Sequence, residues 1–434
     1  MKKIIFFLLS LLLLAAEIEA QKKSVGGLLQ FSSPGAQGFS SERLTRLDNV
    51  FKEYVDNQWC NGAVSLVARN GKIVYYKAFG YNDIELKTPL EKNVIFRIAS
   101  QTKAITSVAV MMLYEQGKFL LDDPVSKYLP EYKNQKVLDK FNEEDSTYTT
   151  IDAKRPVTIR DLLTHTSGIG YPMIGSKGMN YLYNKFNVVG AISTDKTVLK
   201  DQMKILGSVP LGHQPGENWT YGLSVDVLGY LVEVVSGMNL DQFLRKNIFD
   251  PLGMSDTYFY LPKEKYKRLA ILYSEDQQKH LVKIKKSDGF NPDYPVSDGT
   301  YFAGGGGLAS TAYDYAVFMQ MLLNEGEYNG KRLLAKSTVR LMRTNQIGDL
   351  TIPGLYTADV CDKFGLGFEI ISSIGSTIVP LSEGSYGWGG TFGSLYWIDP
   401  KEKIIAQLVL QKAPNSFEDL RGKFISLIYQ AKTK

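Results

Sequence analysis

Patterns typical of β-strands occur near both ends of this chain of 434 residues, whereas helical patterns fill its middle. Near the N-terminus, two β-rich runs flank Asn70-Gly71, a pair that hairpin turns favour because both positions take positive φ. Further β-rich runs follow at 364–371, 392–398 and 404–410. Strands from distant parts of the chain must pair in order to bury their apolar faces. The pattern therefore predicts an α+β fold whose antiparallel sheet is built from both chain ends.

Two helices near the chain ends are expected to flank this sheet. The first is predicted from Ser41 to about Asn57, because its apolar residues recur on one helical face. The closing helix places five apolar side chains on one face: Phe417, Leu420, Phe424, Leu427 and Ile428. Such one-sided faces indicate helices that pack against the sheet.

A mostly helical lobe is expected to be inserted between the two halves of the sheet. Its predicted helices are 100–116, the segment after Thr158, 223–236, the segment from Asn239, and 310–323. Thr158 and Asn239 are expected to cap their helices, and Gly237 to end one. The sheet lobe then covers about 41–100 and 355–434, and the helical lobe covers about 101–354.

The first 20 residues have the pattern of a signal peptide. Lys2 and Lys3 precede an apolar stretch over 4–16, and small and polar residues follow up to Ala20. The mature chain is then 21–434, exported to the periplasm or secreted. An uncleaved membrane anchor is the alternative, but the apolar stretch is short for a membrane span. No other apolar run of that kind occurs, so no stable membrane span is expected after cleavage.

Charge and composition exclude several other classes of protein. The net charge of +5 comes from 50 basic and 45 acidic residues spread along the chain, without the basic patch of a nucleic-acid-binding protein. The three histidines are scattered, so no metal site is expected, and His165 is interpreted as a hydrogen-bonded structural residue. Cys60 and Cys361 could form a disulfide in an exported protein, but spacing alone leaves this open. The oligomeric state is not indicated.

One helix start combines a hydroxyl with an amine. Ser100 and Lys103 lie three residues apart, so on a helix they share a face. A lysine amine can activate a serine hydroxyl if burial or neighbouring charge lowers its pKa. The first turn also places the Ser100 N–H and the positive helix end near a developing oxyanion. Alone this motif is weak. The chain contains no Gly-x-Ser-x-Gly, which argues against an α/β-hydrolase.

The surrounding residues make the motif specific. Residues 96–103 read Phe-Arg-Ile-Ala-Ser-Gln-Thr-Lys, and residues 162–168 read Leu-Leu-Thr-His-Thr-Ser-Gly. Both closely resemble the serine β-lactamase superfamily, which includes class C β-lactamases, D-alanyl-D-alanine carboxypeptidases and family VIII carboxylesterases. The resemblance covers essentially the whole mature chain. It implies that Ser100 is the nucleophile, and that Tyr221, at the end of Pro-Gly-Glu-Asn-Trp-Thr-Tyr, shuttles protons with Lys103.

Two positions depart from the β-lactamase pattern. The asparagine expected two places after the tyrosine is Leu223, and Trp388 stands where the Lys-Thr-Gly motif has its lysine. The segment Trp388-Gly389-Gly390 resembles the carboxylesterase branch, so we expect these three residues and Leu223 to contact substrate. By analogy, the N–H groups of Ser100 and Thr391 would form the oxyanion hole.

The resemblance implies a serine hydrolase that cleaves small or medium esters through an acyl-enzyme and needs no metal or organic cofactor. A β-lactamase, a D-alanyl-D-alanine carboxypeptidase or transpeptidase, or an acyltransferase would use the same residues, the last with another acceptor. A penicillin-binding sensor that is acylated without turnover is an alternative of another class. The partner in each case is a small ester or amide. Whether Lys103 or Tyr221 takes the proton is left open.

Overall fold

The computed structural model describes residues 29–190, 192, 197–287, 290–357 and 360–433. The predicted signal peptide lies outside these residues. The α-helices are α1 (Ser41–Asp56), α2 (Thr102–Glu115), α3 (Ile159–Leu163), α4 (Lys177–Lys185), α5 (Leu199–Gly207), α6 (Ser224–Ser236), α7 (Leu240–Leu244), α8 (Asp250–Leu252), α9 (Ala312–Leu323), α10 (Lys336–Met342), α11 (Gly375–Ile378) and α12 (Asp419–Gln430).

Strands from both chain ends form one large sheet. The strands are β1 (Gln30–Phe31), β2 (Gly62–Arg69), β3 (Lys72–Asp83), β4 (Thr88–Pro89), β5 (Phe96–Arg97), β6 (Lys136–Phe141), β7 (Tyr148–Asp152), β8 (Tyr273–Glu275), β9 (Leu281–Lys283), β10 (Ala309–Ser310), β11 (Glu327–Tyr328), β12 (Lys331–Arg332), β13 (Ile352–Pro353), β14 (Val360–Phe364), β15 (Glu369–Ile370), β16 (Tyr386–Gly390), β17 (Ser394–Asp399) and β18 (Ile404–Val409). The sheet order is β1-β3-β2-β18-β17-β16-β15-β14-β13, with β4 paired to β3. N-terminal β2 therefore pairs with C-terminal β18, in antiparallel register, and the predicted α+β fold is confirmed.

One edge of the sheet differs from the prediction. Strand β1 runs parallel to β3, so the sheet is mixed rather than antiparallel throughout. The chain leaves β1, forms α1 and β2, and only then enters β3. A crossover of that length returns the chain in the parallel direction. The predicted hairpin between β2 and β3 is confirmed, with φ of 53° at Asn70 and 72° at Gly71.

Both faces of the sheet are buried. Side chains along a strand alternate between faces, so Trp397 packs on the side of the terminal helices while its neighbour Ile398 faces the main core. The ring centroids of Phe51 in α1 and Phe424 in α12 lie 6.1 Å apart, and the Trp397 ring lies 5.4 Å from Phe424. The terminal helices therefore cover one face of the sheet, as expected.

The inserted segment is largely helical, with hairpins that the patterns did not predict. Thr158 caps α3 in a complete capping box with Asp161, and Asn239 caps α7 by accepting a hydrogen bond from the Gln242 N–H at 2.8 Å. Gly237 ends α6 with φ 71°. The short strand pairs β6–β7 and β8–β9 also lie in this segment.

The predicted strand over 364–371 is broken by a turn. Strand β14 ends at Phe364 and β15 begins at Glu369. Gly367 between them has φ 94°, and a Cβ there would lie 2.2 Å from Ser107 Oγ of α2. The turn thus brings the sheet edge against the helix that carries Lys103. Cys60 and Cys361 are both free thiols, and no helix of the described part is long and apolar enough to cross a membrane.

Candidate active site

Ser100 lies in a short 3₁₀ turn, Ala99–Gln101, and α2 begins directly after it at Thr102. The sequence pattern predicts a helix that starts at Ser100 itself. The preceding residue explains the difference, because Ala99 has φ 45°, a strained conformation for a residue with a Cβ. This bend leaves Ser100 half-buried at the helix entrance, with Lys103 Nζ 3.3 Å from its Oγ.

Lys103 is buried, with 3% of its surface exposed, and its amine is fully engaged. Besides Ser100 Oγ, Nζ donates to the Tyr171 hydroxyl at 2.9 Å and to the Gly305 carbonyl at 2.6 Å. It also lies 4.6 Å from the ring centroid of Tyr221. Ser100 and Lys103, predicted to share a helix face, are therefore brought together with Tyr221 in one cluster.

These surroundings keep the Lys103 side chain charged. Burial disfavours the ammonium, but the neighbouring Tyr171 and Tyr221 phenols and the Asp226 carboxyl outweigh that cost, so the pKa of Lys103 is raised. A lysine that acts as a free base would need a pKa lowered by burial or neighbouring charge. That condition is not met, so at neutral pH the amine acts as a hydrogen-bond donor rather than as a free base.

Tyr221 lies between Lys103 and strand β16, which carries Trp388. Its hydroxyl accepts a hydrogen bond from Trp388 Nε1 at 3.2 Å, and the two rings lie 5.4 Å apart. The rings of Trp219 and His165 pack against Tyr221 at centroid distances of 6.0 Å and 5.0 Å. Tyr221 is thus held by aromatic contacts while its hydroxyl remains beside Trp388.

His165 differs from its predicted role as a hydrogen-bonded residue. The ring is fully buried, and neither nitrogen has a hydrogen-bond partner among the described residues. Burial, and then the Lys103 cation, lower the pKa of His165 well below its usual value, so the ring is neutral. Its contacts are aromatic, with Trp219, Tyr221 and Phe364. His165 therefore supports Tyr221 through packing.

Tyr171 is a residue of the cluster that sequence reasoning missed. It follows shortly after the Thr-His-Thr-Ser-Gly segment, but nothing local separates it from the other tyrosines, of which the chain has 26 in all. Its hydroxyl accepts the 2.9 Å hydrogen bond from Lys103. Burial raises the pKa of Tyr171, with the Lys103 cation opposing this effect. The phenol is therefore neutral at pH 7.

A cavity of about 330 Å³ opens in front of Ser100. That volume lies within the usual range for small-molecule sites. Tyr171, Tyr221, Trp388, Gly389, Gly390 and Thr391 all line it. Much of the remaining lining is apolar, from Leu355, Met173, Ile174 and Ile192. Met173 and Ile174 are 87% and 56% exposed, which places apolar side chains at the mouth.

The two glycines after Trp388 allow the strand to approach the nucleophile. A Cβ at Gly390 would lie 2.6 Å from the Ile98 carbonyl oxygen, and one at Gly389 would lie 2.8 Å from a Leu355 methyl group. At Gly390 the close atom belongs to the backbone, so only glycine fits there. The approach brings Thr391 and Ser100 to the same cavity, and the oxyanion hole formed by their N–H groups stays a prediction.

Leu223 does not reach the cavity. Its side chain is fully buried in the main hydrophobic core, and its N–H donates to the Gly170 carbonyl at 3.2 Å. Its place two residues after Tyr221 predicts a contact with substrate. The helix α6 begins at the next residue and turns this side chain inward, so the expectation for Leu223 is corrected.

A cation enters the cavity from the far end of the chain. Arg421, in the C-terminal helix α12, lines it together with Leu355 and Trp388. Among the described residues, no carboxylate forms an ion pair with this guanidinium. The absence of a lysine at position 388 therefore does not leave the site without positive charge. Sequence spacing could not reveal this, because Arg421 and Trp388 lie on different elements.

Comparisons with known proteins identify the family of this chain. The family model described as Beta-lactamase matches residues 47–430. An uncharacterized protein of Mycobacterium tuberculosis, MT1414, is 32% identical, covering 84% of this chain and 89% of that protein. The esterase EstB of Burkholderia gladioli is 29% identical, covering 87% of this chain and 92% of that enzyme.

Solved structures show the same fold. EstCE1, described as a hydrolase with promiscuous acyltransferase activity, superposes with a TM-score of 0.75 at 26% identity, over 90% of this chain and 98% of that one. Unliganded selenomethionyl simvastatin synthase from Aspergillus terreus superposes with a TM-score of 0.77 at 25% identity, also over 90% of this chain and 98% of that one. The esterase and hydrolase among these similar proteins support hydrolase chemistry. The chain therefore belongs to the beta-lactamase family.

Proposed function

We propose that this protein is a serine hydrolase that cleaves small or medium esters through an acyl-enzyme on Ser100. The observation that carries the proposal is the position of Ser100 Oγ, 3.3 Å from the buried Lys103 ammonium, at a cavity lined largely by apolar side chains. A nucleophilic hydroxyl with a positioned proton relay is the arrangement that acyl transfer requires.

In the acylation step, Ser100 Oγ attacks the ester carbonyl carbon as its proton passes to the Tyr221 phenolate, which the Lys103 ammonium stabilises. The N–H groups of Ser100 and Thr391 receive the developing negative oxygen. The carbon–oxygen bond to the alcohol then breaks, and the tyrosine returns the proton to the leaving alkoxide. The raised pKa of Lys103 suits this role, because an ammonium stabilises a neighbouring phenolate.

Water completes the cycle. It attacks the acyl carbon while the same tyrosine accepts one of its protons, and the Ser100 oxygen leaves and is reprotonated. The products are the free acid and the original enzyme. An alcohol in place of water would give transesterification, which is an acyl transfer; EstCE1 is described as having promiscuous acyltransferase activity.

The proposal predicts a preference for simple esters over β-lactams. Trp388 presents an aromatic face and an N–H already directed to Tyr221, where β-lactamases carry a lysine for the substrate carboxylate. A charged hydrogen bond of that kind contributes about 1.5–3 kcal/mol, or about one to two powers of ten in binding. Arg421 lies on α12 and not at this strand position, so we expect it not to replace that contact. We therefore expect kcat/KM for a p-nitrophenyl ester of a short acid to exceed that for nitrocefin by at least about tenfold.

Steady-state kinetics on purified mature protein measure this ratio, and Trp388→Lys should narrow it. Faster turnover of nitrocefin than of the ester would contradict the esterase assignment while leaving Ser100 as nucleophile. A single equivalent of released product, without turnover, would favour the sensor function instead. Intact-mass analysis after reaction with a fluorophosphonate and with β-lactams identifies the acylated residue independently of turnover.

Arg421 leads to a second prediction about substrates. As a cation of the cavity without an ion-pair partner among described residues, it should favour esters that also carry a carboxylate. Arg421→Gln is expected to lower kcat/KM for such an acidic ester by about tenfold, mainly through KM, and to leave a neutral ester of equal size nearly unchanged.

The matched control is Lys423→Gln on the same helix. Lys423 forms an ion pair with Asp419 and donates to the Tyr54 hydroxyl at 3.0 Å, outside the cavity lining. Lys423→Gln should therefore leave kcat/KM for both the acidic and the neutral ester unchanged. Equal losses on acidic and neutral esters in Arg421→Gln would show that Arg421 does not bind a substrate carboxylate.

A further inference from the structure

Asp226 is a fully buried carboxyl group next to the catalytic cluster. It lies in the first turn of α6 with none of its surface exposed. Its Oδ1 accepts a hydrogen bond from the Gly305 N–H at 3.1 Å, whereas Oδ2 has no hydrogen-bond partner among the described residues. A Cβ on Gly305 would lie only 2.4 Å from Oδ2. The carboxyl group is therefore packed directly against the Gly305 backbone.

Gly305 connects this carboxyl group to the catalytic lysine. Its N–H donates to Asp226, and its carbonyl oxygen accepts the 2.6 Å hydrogen bond from Lys103 Nζ. The same Nζ donates to Ser100 and Tyr171. A continuous chain of contacts thus runs from Asp226 through one glycine to the amine that faces the nucleophile.

Among the described residues, Lys103 is the one cation whose charge acts on Asp226. The titratable groups that interact with it are Lys103 from α2 and the phenols of Tyr171, Tyr132 and Tyr301. Burial raises the pKa of Asp226 to about 6, while Lys103 and the Gly305 N–H act in the opposite direction. The carboxyl group is thus largely ionised at pH 7. A buried carboxylate of this kind is costly without a countercharge, and Lys103 supplies it.

We propose that Asp226 is a positioning residue, whose negative charge and hydrogen bond to Gly305 hold the Lys103 ammonium towards Ser100 and the tyrosines. This inference rests on the proposed function, since it describes how the acylation apparatus is set. It assigns Asp226 no contact with substrate. Its effect on the reaction is exerted entirely through Lys103.

The test is Asp226→Asn, which keeps the size and the acceptor oxygen for the Gly305 N–H but removes the charge. The negative charge of Asp226 raises the pKa of both Lys103 and Tyr171. Without it, the lysine–tyrosine group should lose its proton at lower pH. We expect the acidic limb of kcat/KM against pH to move down by about one unit, in line with the effect of a nearby charge. The plateau should fall about tenfold, because the base is weaker and the amine less well held.

Asp314→Asn is the matched control. Asp314 is also a buried carboxyl group whose pKa burial raises to about 6, and it accepts hydrogen bonds from the Asp256 N–H and the Thr257 hydroxyl. Asp314 is not among the main groups that shift the pKa of Lys103. Asp314→Asn should alter thermal stability without moving the acidic limb. An unmoved limb in Asp226→Asn, or an equal shift in Asp314→Asn, would overturn the proposal.

A stability measurement covers the case in which Asp226→Asn does not fold. Lys103→Met leaves the Asp226 carboxylate without its countercharge, so adding Asp226→Asn to it should raise the melting temperature above that of Lys103→Met alone. Removing both charges of a buried pair costs less than removing one. If Lys103→Met folds and the double variant is no more stable, the pairing is wrong.

The rate of fluorophosphonate labelling at Ser100, followed by intact mass across pH, separates this inference from the proposed function. If the acidic limb of the labelling rate shifts in Asp226→Asn but the protein turns over no ester, the positioning role of Asp226 is supported and the ester hydrolase function is rejected. Ester turnover with an unmoved limb would reject Asp226 alone. Failure to label wild-type Ser100 at any pH would overturn both.

Discussion

Replacement of Ser100 by alanine is expected to abolish ester hydrolysis in a protein that remains folded. The hydroxyl is the proposed nucleophile, and loss of an activated nucleophile lowers rates by several orders of magnitude. The fold should persist, because Ser100 is half-buried and its side chain contacts Lys103 across a 3.3 Å hydrogen bond rather than filling the core. Ester kinetics test the loss of hydrolysis, and the melting temperature and circular dichroism test whether the fold is retained.

Ser208→Ala is a suitable control, because this serine at the end of α5 is exposed and its hydroxyl donates to the Ile205 carbonyl of the same helix. It should retain full activity. A folded Ser100→Ala variant that keeps more than about a few per cent of the wild-type rate would be inconsistent with a nucleophilic Ser100.

Tyr221→Phe and Lys103→Ala should each lower kcat/KM by about a hundredfold or more, the usual size of a general acid–base contribution. The double variant should lower kcat/KM by little more than the more damaging single change does, because the phenol and the ammonium form one proton relay. Strictly additive losses in the logarithm of the rate would show that the two groups act independently.

Tyr171→Phe separates the two tyrosines of the cluster. The Tyr171 hydroxyl accepts a hydrogen bond from Lys103 at 2.9 Å. Its loss should leave the amine less well positioned and lower kcat/KM by about tenfold, the value of one charged hydrogen bond. The Tyr221 hydroxyl lies beside Trp388 in the cavity, so Tyr221→Phe should lower kcat/KM by more than Tyr171→Phe does. The reverse order, with Tyr171→Phe the more damaging change, would assign the proton relay to Tyr171.

Features that depend on neighbours in the chain were readable from the sequence. The Asn70-Gly71 turn, the capping of α3 by Thr158 and the amphipathic α1 each arise within a few residues, where residue type limits the backbone directly. Ser100 and Lys103 belong to the same class, because the spacing that puts them on one face is a property of the helix. The strand-rich chain ends likewise indicated a sheet shared between them.

Other features arose only when distant segments met. Arg421 reaches the cavity from the last helix, and Gly305 joins Asp226 to Lys103 from a third segment, so no spacing predicts either. The inward turn of Leu223 was likewise set by the start of α6.

The charge of Lys103 is the clearest case of a property that the tertiary structure alone decided. The sequence determined that an amine lies one turn from a serine, but not the sign of its pKa shift. Burial alone would have lowered the pKa of Lys103, whereas the assembled phenols and the Asp226 carboxyl raise it. A pKa depends on which groups surround a side chain in three dimensions, and those groups come from segments that only the fold brings together.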